Sequence, residues 1–144
     1  MAPETSYAWL CQQIVEGIPD ALIFADEHGI IRLWNGGAEA LFGFTATEAI
    51  GQRLDLIIPE RLRERHWDGY RRVMATGVTQ YGRTLLAVPA IRKDGALISI
   101  EFSILLLRNS QGEALGSAAM LRDVTVRWQR EKDLKQRLSA LDGK

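Results

Sequence analysis

The stretch PDALIFADEHGIIRLWN, residues 19–35, decides how the rest of the chain can be arranged. Ala21, Ile23 and Ala25 alternate with Leu22, Phe24 and Asp26, DEHG has the composition of a tight turn, and IIRLW indicates a second strand. This pattern predicts two antiparallel strands joined as a hairpin. Asn35 then offers a side-chain oxygen that can cap a helix. The stretch therefore predicts a hairpin that is followed directly by helical structure.

Short helices are predicted on the C-terminal side of this hairpin. Thr45 and Glu48, three positions apart, have the spacing of a capping box, and Gly51 follows as a helix end. Pro59 suits the first turn of a longer helix, because its missing N–H is not needed there. That helix is predicted to end at Gly77.

Three more strands and a charged helix are predicted after the long helix. The clearest strand is ALISIEFSILLLR, residues 96–108, in which apolar and polar residues alternate. Strands are also predicted over 79–91 and 114–124, and helices at the two ends over 6–17 and 125–141. The order indicates an α+β domain, with a five-stranded antiparallel sheet and helices on one face.

The composition disfavours several classes of function. Eighteen basic residues balance eighteen acidic ones, so direct binding of nucleic acid is not expected. The single cysteine, Cys11, leaves no internal disulfide and fits a reducing, cytoplasmic location. No apolar run approaches the roughly 20 residues that span a bilayer, so no membrane association is expected. Phosphate-binding loops and catalytic motifs are also missing, and an enzyme is not expected.

Three stretches of the chain resemble the PAS family of sensory domains. They are, in order, IPDALIFADEHGIIRLWNGGAEALFGFTATEAIGQRLDLIIPE (18–60), RKDG (92–95) and RDVT (122–125). The resemblance implies a PAS core over 18–125, a leading helix in 1–17 and a C-terminal signalling helix in 126–144. It also implies sensing: a PAS domain binds a small ligand or mediates dimerisation, and relays its state through flanking helices.

The resemblance further implies how a signal leaves the core. Asp123 and Thr125 mark the exit from the last strand, which in the family is the joint that moves the output helix. A homodimer and a downstream effector are expected, as in two-component or transcriptional regulators. The chain is then either a stand-alone sensor or a segment of a larger regulator. The predicted dimer contacts are apolar residues of the two flanking helices: Tyr7, Leu10, Ile14, Leu134 and Leu138.

A ligand pocket is predicted between the sheet and the long helix. On that helix His66 and Tyr70 share one apolar stripe, although their neighbours in sequence are charged. The other predicted lining residues are Leu56, Leu86, Ile100, Phe102, Ile104, Ala119 and Leu121. Such a lining suits a small apolar ligand, and a filled core is the alternative.

The cofactor is left open, with haem b as the sharpest hypothesis. His66 aligns with the iron-binding histidine that haem-containing PAS oxygen sensors carry on this helix, which implies His66 as an axial ligand. Where those sensors place a distal arginine or methionine this chain has Leu86, which cannot donate a hydrogen bond to bound oxygen. The alternative is that His66 is a core histidine.

A photoactive flavin adduct is not expected. The blue-light-sensing branch of the family carries its reactive cysteine in the region that aligns with residues 51–60, and this stretch contains none. Cys11 lies in the leading helix, outside the core. A non-covalent flavin or another small molecule stays open.

Overall fold

A five-stranded antiparallel sheet organises the part of the chain that the computed structural model describes, residues 4–78 and 86–142. The strands are β1 (Ala21–Asp26), β2 (Ile31–Trp34), β3 (Leu86–Ile91), β4 (Leu97–Arg108) and β5 (Ala114–Asp123). Their order in the sheet is β2-β1-β5-β4-β3, and every neighbouring pair is antiparallel. The predicted α+β architecture is confirmed. The predicted third strand began at residue 79, and residues 79–85 lie outside the described part.

Five helices accompany the sheet in the described residues. They are α1 (Tyr7–Gly17), α2 (Gly36–Phe42), α3 (Ala46–Ala49), α4 (Arg63–Thr76) and α5 (Thr125–Asp142). The predicted capping box is present, since Thr45 and Glu48 each accept a hydrogen bond from the other's backbone N–H. Gly77 ends α4 in the left-handed conformation, as predicted.

The predicted start of α4 at Pro59 was wrong by four residues. A 3₁₀ turn, Glu60–Leu62, occupies the first positions, with a hydrogen bond from the Leu62 N–H to the Pro59 carbonyl. The side chain of Arg63 reaches back and donates to the carbonyl of Ile58 at 3.0 Å. These contacts hold the chain in a tighter turn, so the α-helix begins at Arg63.

The strand register assigns each residue of the sheet to one of two faces. Ile23 in β1 lies opposite Ala119 in β5, which lies opposite Ile104 in β4, so all three share a face. This inner face packs against the helices, whereas the next residue along each strand points to the outer face. The buried core that the inner face forms with the helices includes Ala21, Ile31, Trp34, Phe42, Ile98, Ile100 and Leu121.

Asn35 joins four segments of the fold through one buried side chain. Its carboxamide oxygen accepts hydrogen bonds from the N–H groups of Ala38, in α2, at 2.9 Å and of Leu22, in β1, at 2.8 Å. Its amide nitrogen donates to the carbonyls of Val15, in α1, at 2.7 Å and of Asp20 at 3.1 Å. The side chain is thus the predicted helix cap and also fixes β1 and α1.

Replacing Asn35 with alanine is expected to lower the free energy of unfolding by about 3 kcal/mol, because two buried N–H groups lose their acceptor. Urea denaturation measures this change. Asn109→Ala is the matched control, since Asn109 bonds the N–H groups of Gln111 and Glu113 in an exposed turn. The control is expected to cost about 1 kcal/mol or less. Equal losses in the two variants would contradict this account of Asn35.

Candidate functional site

The inner face of β4 and β5 brings together most of the predicted pocket residues. Phe102 lies opposite Leu121, and Ile104 lies opposite Ala119. Ile100 lies two residues before Phe102 on β4 and so shares its face. Ile100 and Leu121 are buried, whereas Phe102, Ile104 and Ala119 are half-buried. The two strands therefore form a continuous apolar wall, part of which is accessible.

The remaining apolar residues of the predicted pocket lie on two other elements. Leu56, in the 3₁₀ turn Leu54–Ile57, is partly buried and packs against the core. Leu86 begins β3, and its backbone lies opposite Phe102. The side chain of Leu86 lies outside the described part of the structure, so its place in a pocket stays a prediction.

Trp67 is the most deeply buried residue of α4, and it lies beside the predicted stripe, on which His66 and Tyr70 are both partly buried. Trp67 is buried, and its indole N–H donates to Asp55 Oδ1 at 2.6 Å. The guanidinium of Arg53 covers the ring, 4.5 Å from its centroid. Gly29 also lies against the ring, since a Cβ atom there would come within 2.1 Å of the indole. The hydrogen bond to Asp55 and the room that Gly29 leaves for the ring together allow Trp67 to be buried.

His66 is left half-buried at the side of this contact. Its ring centroid is 4.9 Å from that of Trp67 and 5.8 Å from that of Tyr70. Its Nδ1 atom is buried and has no hydrogen-bond partner among the described residues. Burial lowers the pKa of His66 below the usual 6.5, and the nearby carboxylate of Asp55 opposes this shift. The imidazole is therefore neutral at neutral pH, the form that binds metals.

Tyr70 anchors α4 to the sheet. Its hydroxyl donates to the carbonyl of Asp26, at the end of β1, at 2.6 Å, with the carbonyl of Ala25 at 3.2 Å. Burial raises the pKa of Tyr70 above the usual 10.0. Because its hydroxyl is bonded to backbone, the described geometry gives Tyr70 a role in holding the helix, and its contact with a ligand stays a prediction.

The predicted relay residues form a compact joint between the sheet and α5. The Thr125 hydroxyl donates to Asp123 Oδ1 at 2.6 Å and accepts from the N–H of Ser99, in β4, at 2.9 Å. The N–H of Thr125 also donates to Asp123 Oδ1 at 2.8 Å. The first residue of α5 is thus bonded to both β4 and the end of β5.

A second apolar surface lies on the outer face of the sheet, and the sequence analysis missed it. We call it the outer apolar face; its residues are Leu22, Phe24, Leu33, Leu105, Leu107 and Met120. Together with Val15 of α1 they line an open groove of about 790 Å³. Leu105 is 63% exposed. The run of three leucines at 105–107, which places apolar residues on both faces of β4, is the signal that could have found it.

The residues predicted at the dimer interface are all exposed in the single chain. Tyr7, Leu10 and Ile14 lie on α1, whereas Leu134 and Leu138 lie on α5. Neither helix has a buried residue in the described structure. Among the described residues, no helix is long and apolar enough to cross a membrane.

The comparisons with known proteins bear on this arrangement of sheet, helices and joint. A family model described as the PAS fold matches residues 15–129. The chain belongs to the PAS family. The solved PAS domain of a protein from Colwellia psychrerythraea superposes with a TM-score of 0.72 at 22% identity, covering 83% of this chain and 98% of that one.

Two curated relatives of this PAS domain are named as sensors. Sensor protein FixL of Bradyrhizobium diazoefficiens is 35% identical over 133 residues, which are 90% of this chain and 25% of FixL. Oxygen sensor protein DosP of Escherichia coli is 26% identical over 123 residues, which are 83% of this chain and 15% of DosP. The chain thus spans a quarter or less of each relative. Its role as a sensory PAS domain follows from the family and from these relatives.

Proposed function

We propose that this PAS domain binds a small ligand against the inner face of β4 and β5 and relays its state through Asp123 and Thr125 into α5. It acts as a sensor for a downstream effector and not as an enzyme. A cytoplasmic location is part of the proposal, and the single cysteine fits the reducing conditions there.

The hydrogen bonds of Thr125 are the observation that carries the relay. Phe102 and Ile104 on β4 and Ala119 and Leu121 on β5 face the proposed ligand. A ligand that changes the spacing of these strands also changes the two bonds that orient Thr125. The first turn of α5 then follows, because the N–H of Trp128 bonds to the carbonyl of Val124. The joint therefore converts a shift within the sheet into a movement of the helix.

Thr125→Val is expected to loosen this joint and leave the sheet intact. Valine keeps the shape of threonine but removes the hydroxyl, which costs about 1 kcal/mol. Amide hydrogen exchange at the start of α5 should then be roughly fivefold faster, because local opening follows the same free energy. Thr76→Val is the control, since the Thr76 hydroxyl donates to Arg72 within α4. Unchanged exchange in α5 would rule out Thr125 as the coupling residue.

A second candidate function is a haem-based gas sensor with His66 as the axial ligand. The neutral imidazole, and its buried Nδ1 atom without a hydrogen-bond partner among the described residues, fit an axial ligand of haem. The names of the relatives, sensor protein FixL and oxygen sensor protein DosP, favour the same function. When bound, the haem iron would supply the gas-binding position. The residues of this chain would hold the porphyrin against β4 and β5 and present His66 to the iron.

Titration with haemin is expected to produce a Soret absorption band that His66→Ala loses or shifts strongly. His28→Ala is the control, because His28 lies in the β1–β2 turn with a side chain that is 78% exposed. The control should bind haemin as the unaltered protein does. A haemin spectrum that the protein leaves unchanged, or an equal band in His66→Ala, would remove this candidate.

We propose in addition that the domain works as a homodimer through the outer apolar face together with α1. The groove on this face is lined by Val15, so α1 and the sheet present one continuous apolar surface. Tyr7 and Ile14 are also exposed on α1. A monomer would leave this combined patch in water, which is unfavourable for a large contiguous area.

Leu105→Glu is expected to convert the dimer to a monomer at the same protein concentration, because it places a charge in the centre of the apolar surface. Light scattering after size-exclusion chromatography measures the mass. Ile50→Glu is the control, since Ile50 is also exposed but lies at the end of α3. A monomeric parent protein, or a Leu105→Glu variant that stays dimeric, would exclude this interface.

A further inference from the structure

The carboxylate of Asp55 lies where α4 meets the 3₁₀ turn Leu54–Ile57. Arg63, the first residue of α4, donates to the backbone carbonyls of Ile58 at 3.0 Å and of Asp55 at 3.3 Å. The indole of Trp67 donates to Asp55 Oδ1 at 2.6 Å. Two side chains of the same helix therefore fix the position of Asp55 relative to α4.

The second carboxylate oxygen of Asp55 is only loosely engaged. Oδ2 faces the guanidinium of Arg53 at 3.8 Å, beyond hydrogen-bonding distance, and the side chain is 32% exposed. His66 is adjacent to Trp67 in sequence, and their rings are in edge-to-face contact. The carboxylate of Asp55 is near enough to His66 for its charge to oppose the lowering of the imidazole pKa. A hydrogen-bond acceptor is thus bonded to the same indole that packs against His66, whose buried Nδ1 has no partner among the described residues.

We infer that Asp55 is the positioning residue for His66. Its carboxylate accepts a hydrogen bond from the Nδ1–H group of His66, either directly after a small side-chain rotation or through one water. The Nε2 atom is then the unprotonated nitrogen of the ring. The inference deepens the proposed ligand-sensing function, on which it rests, by naming the atom that meets the ligand. A buried N–H without an acceptor is costly, and a histidine that binds a metal usually donates its other N–H to a carboxylate or carbonyl.

The position of the proton decides which ligands His66 can accept. With the proton on Nδ1, the Nε2 lone pair can bind a metal centre or accept a hydrogen bond from a ligand O–H or N–H. With the proton on Nε2, the same atom can only donate. Asp55 therefore selects for ligands that bring a metal or a hydrogen-bond donor to His66.

The test reads the tautomer from the ring ¹⁵N chemical shifts of the haem-free chain, at a pH above the usual histidine pKa of 6.5. Asp55→Asn keeps an oxygen for the Trp67 indole but replaces the other oxygen with a donor. The ratio of Nδ1–H to Nε2–H in His66 is expected to fall about tenfold. Asp68→Asn is the matched control, since Asp68 is on α4 but 62% exposed and beside Arg71. The control ratio should not change.

An Nε2–H tautomer in the unaltered protein, or an unchanged ratio in Asp55→Asn, would overturn the inference. The indole N–H resonance of Trp67 reports whether the variant keeps its fold, and if it does not, the tautomer of the unaltered protein decides. Haemin titration of the same proteins tests the haem candidate independently of the tautomer measurement. If the protein does not bind haemin but His66 is in the Nδ1–H tautomer, the haem candidate is excluded and the role of Asp55 is supported.

Discussion

The side-chain amide of Asn35 is the contact on which the arrangement of the N-terminal half depends. It is 1% exposed and bonds at once to α1, β1, α2 and the backbone of Asp20. The fit is tight, because a Cβ atom at Gly37 would lie 2.2 Å from the Asp20 carbonyl oxygen. A buried polar group of this kind stabilises the fold only when all its partners are in place. The relative positions of α1, β1 and α2 are therefore specified together.

The pattern of hydrophobic residues was sufficient to predict the elements of this fold but not the buried contact that Trp67 makes on α4. The hairpin of residues 19–35, the capping box and the end of α4 at Gly77 depend on local geometry, which the sequence carries directly. The inward turn of Trp67 depends on Asp55 and Gly29, which are distant in sequence and meet only in the folded chain. A helical wheel contains no such information. The deep burial of Trp67 beside the predicted stripe was for this reason not predicted.

The candidate site shows the same division between local and non-local information. Alternation along β4 predicted that Ile100, Phe102 and Ile104 share a face, and the register adds Ala119 and Leu121. The outer apolar face was missed because a half-buried strand was assumed, whereas β4 carries apolar residues on both sides toward its end. The closeness of side-chain packing around His66 decides whether a ligand fits there, and no sequence period reports packing.

In the proposed sensor, one face of the sheet binds the ligand and the other forms the dimer. Thr125 is bonded to β4 and to the end of β5, the two strands that contribute to both faces. The inner face of β4 and β5 meets the ligand, while the outer face of the same strands is available to a second copy. Each strand moves as one rigid unit, so a displacement of β4 or β5 by the ligand changes the position of residues on both faces. In the proposed relay, Ser99 of β4 and Asp123 of β5 would transmit it to α5 through their hydrogen bonds with Thr125. Because β5 is the central strand, paired with β1 on one side and β4 on the other, its end is where the largest part of the sheet can act on a single helix.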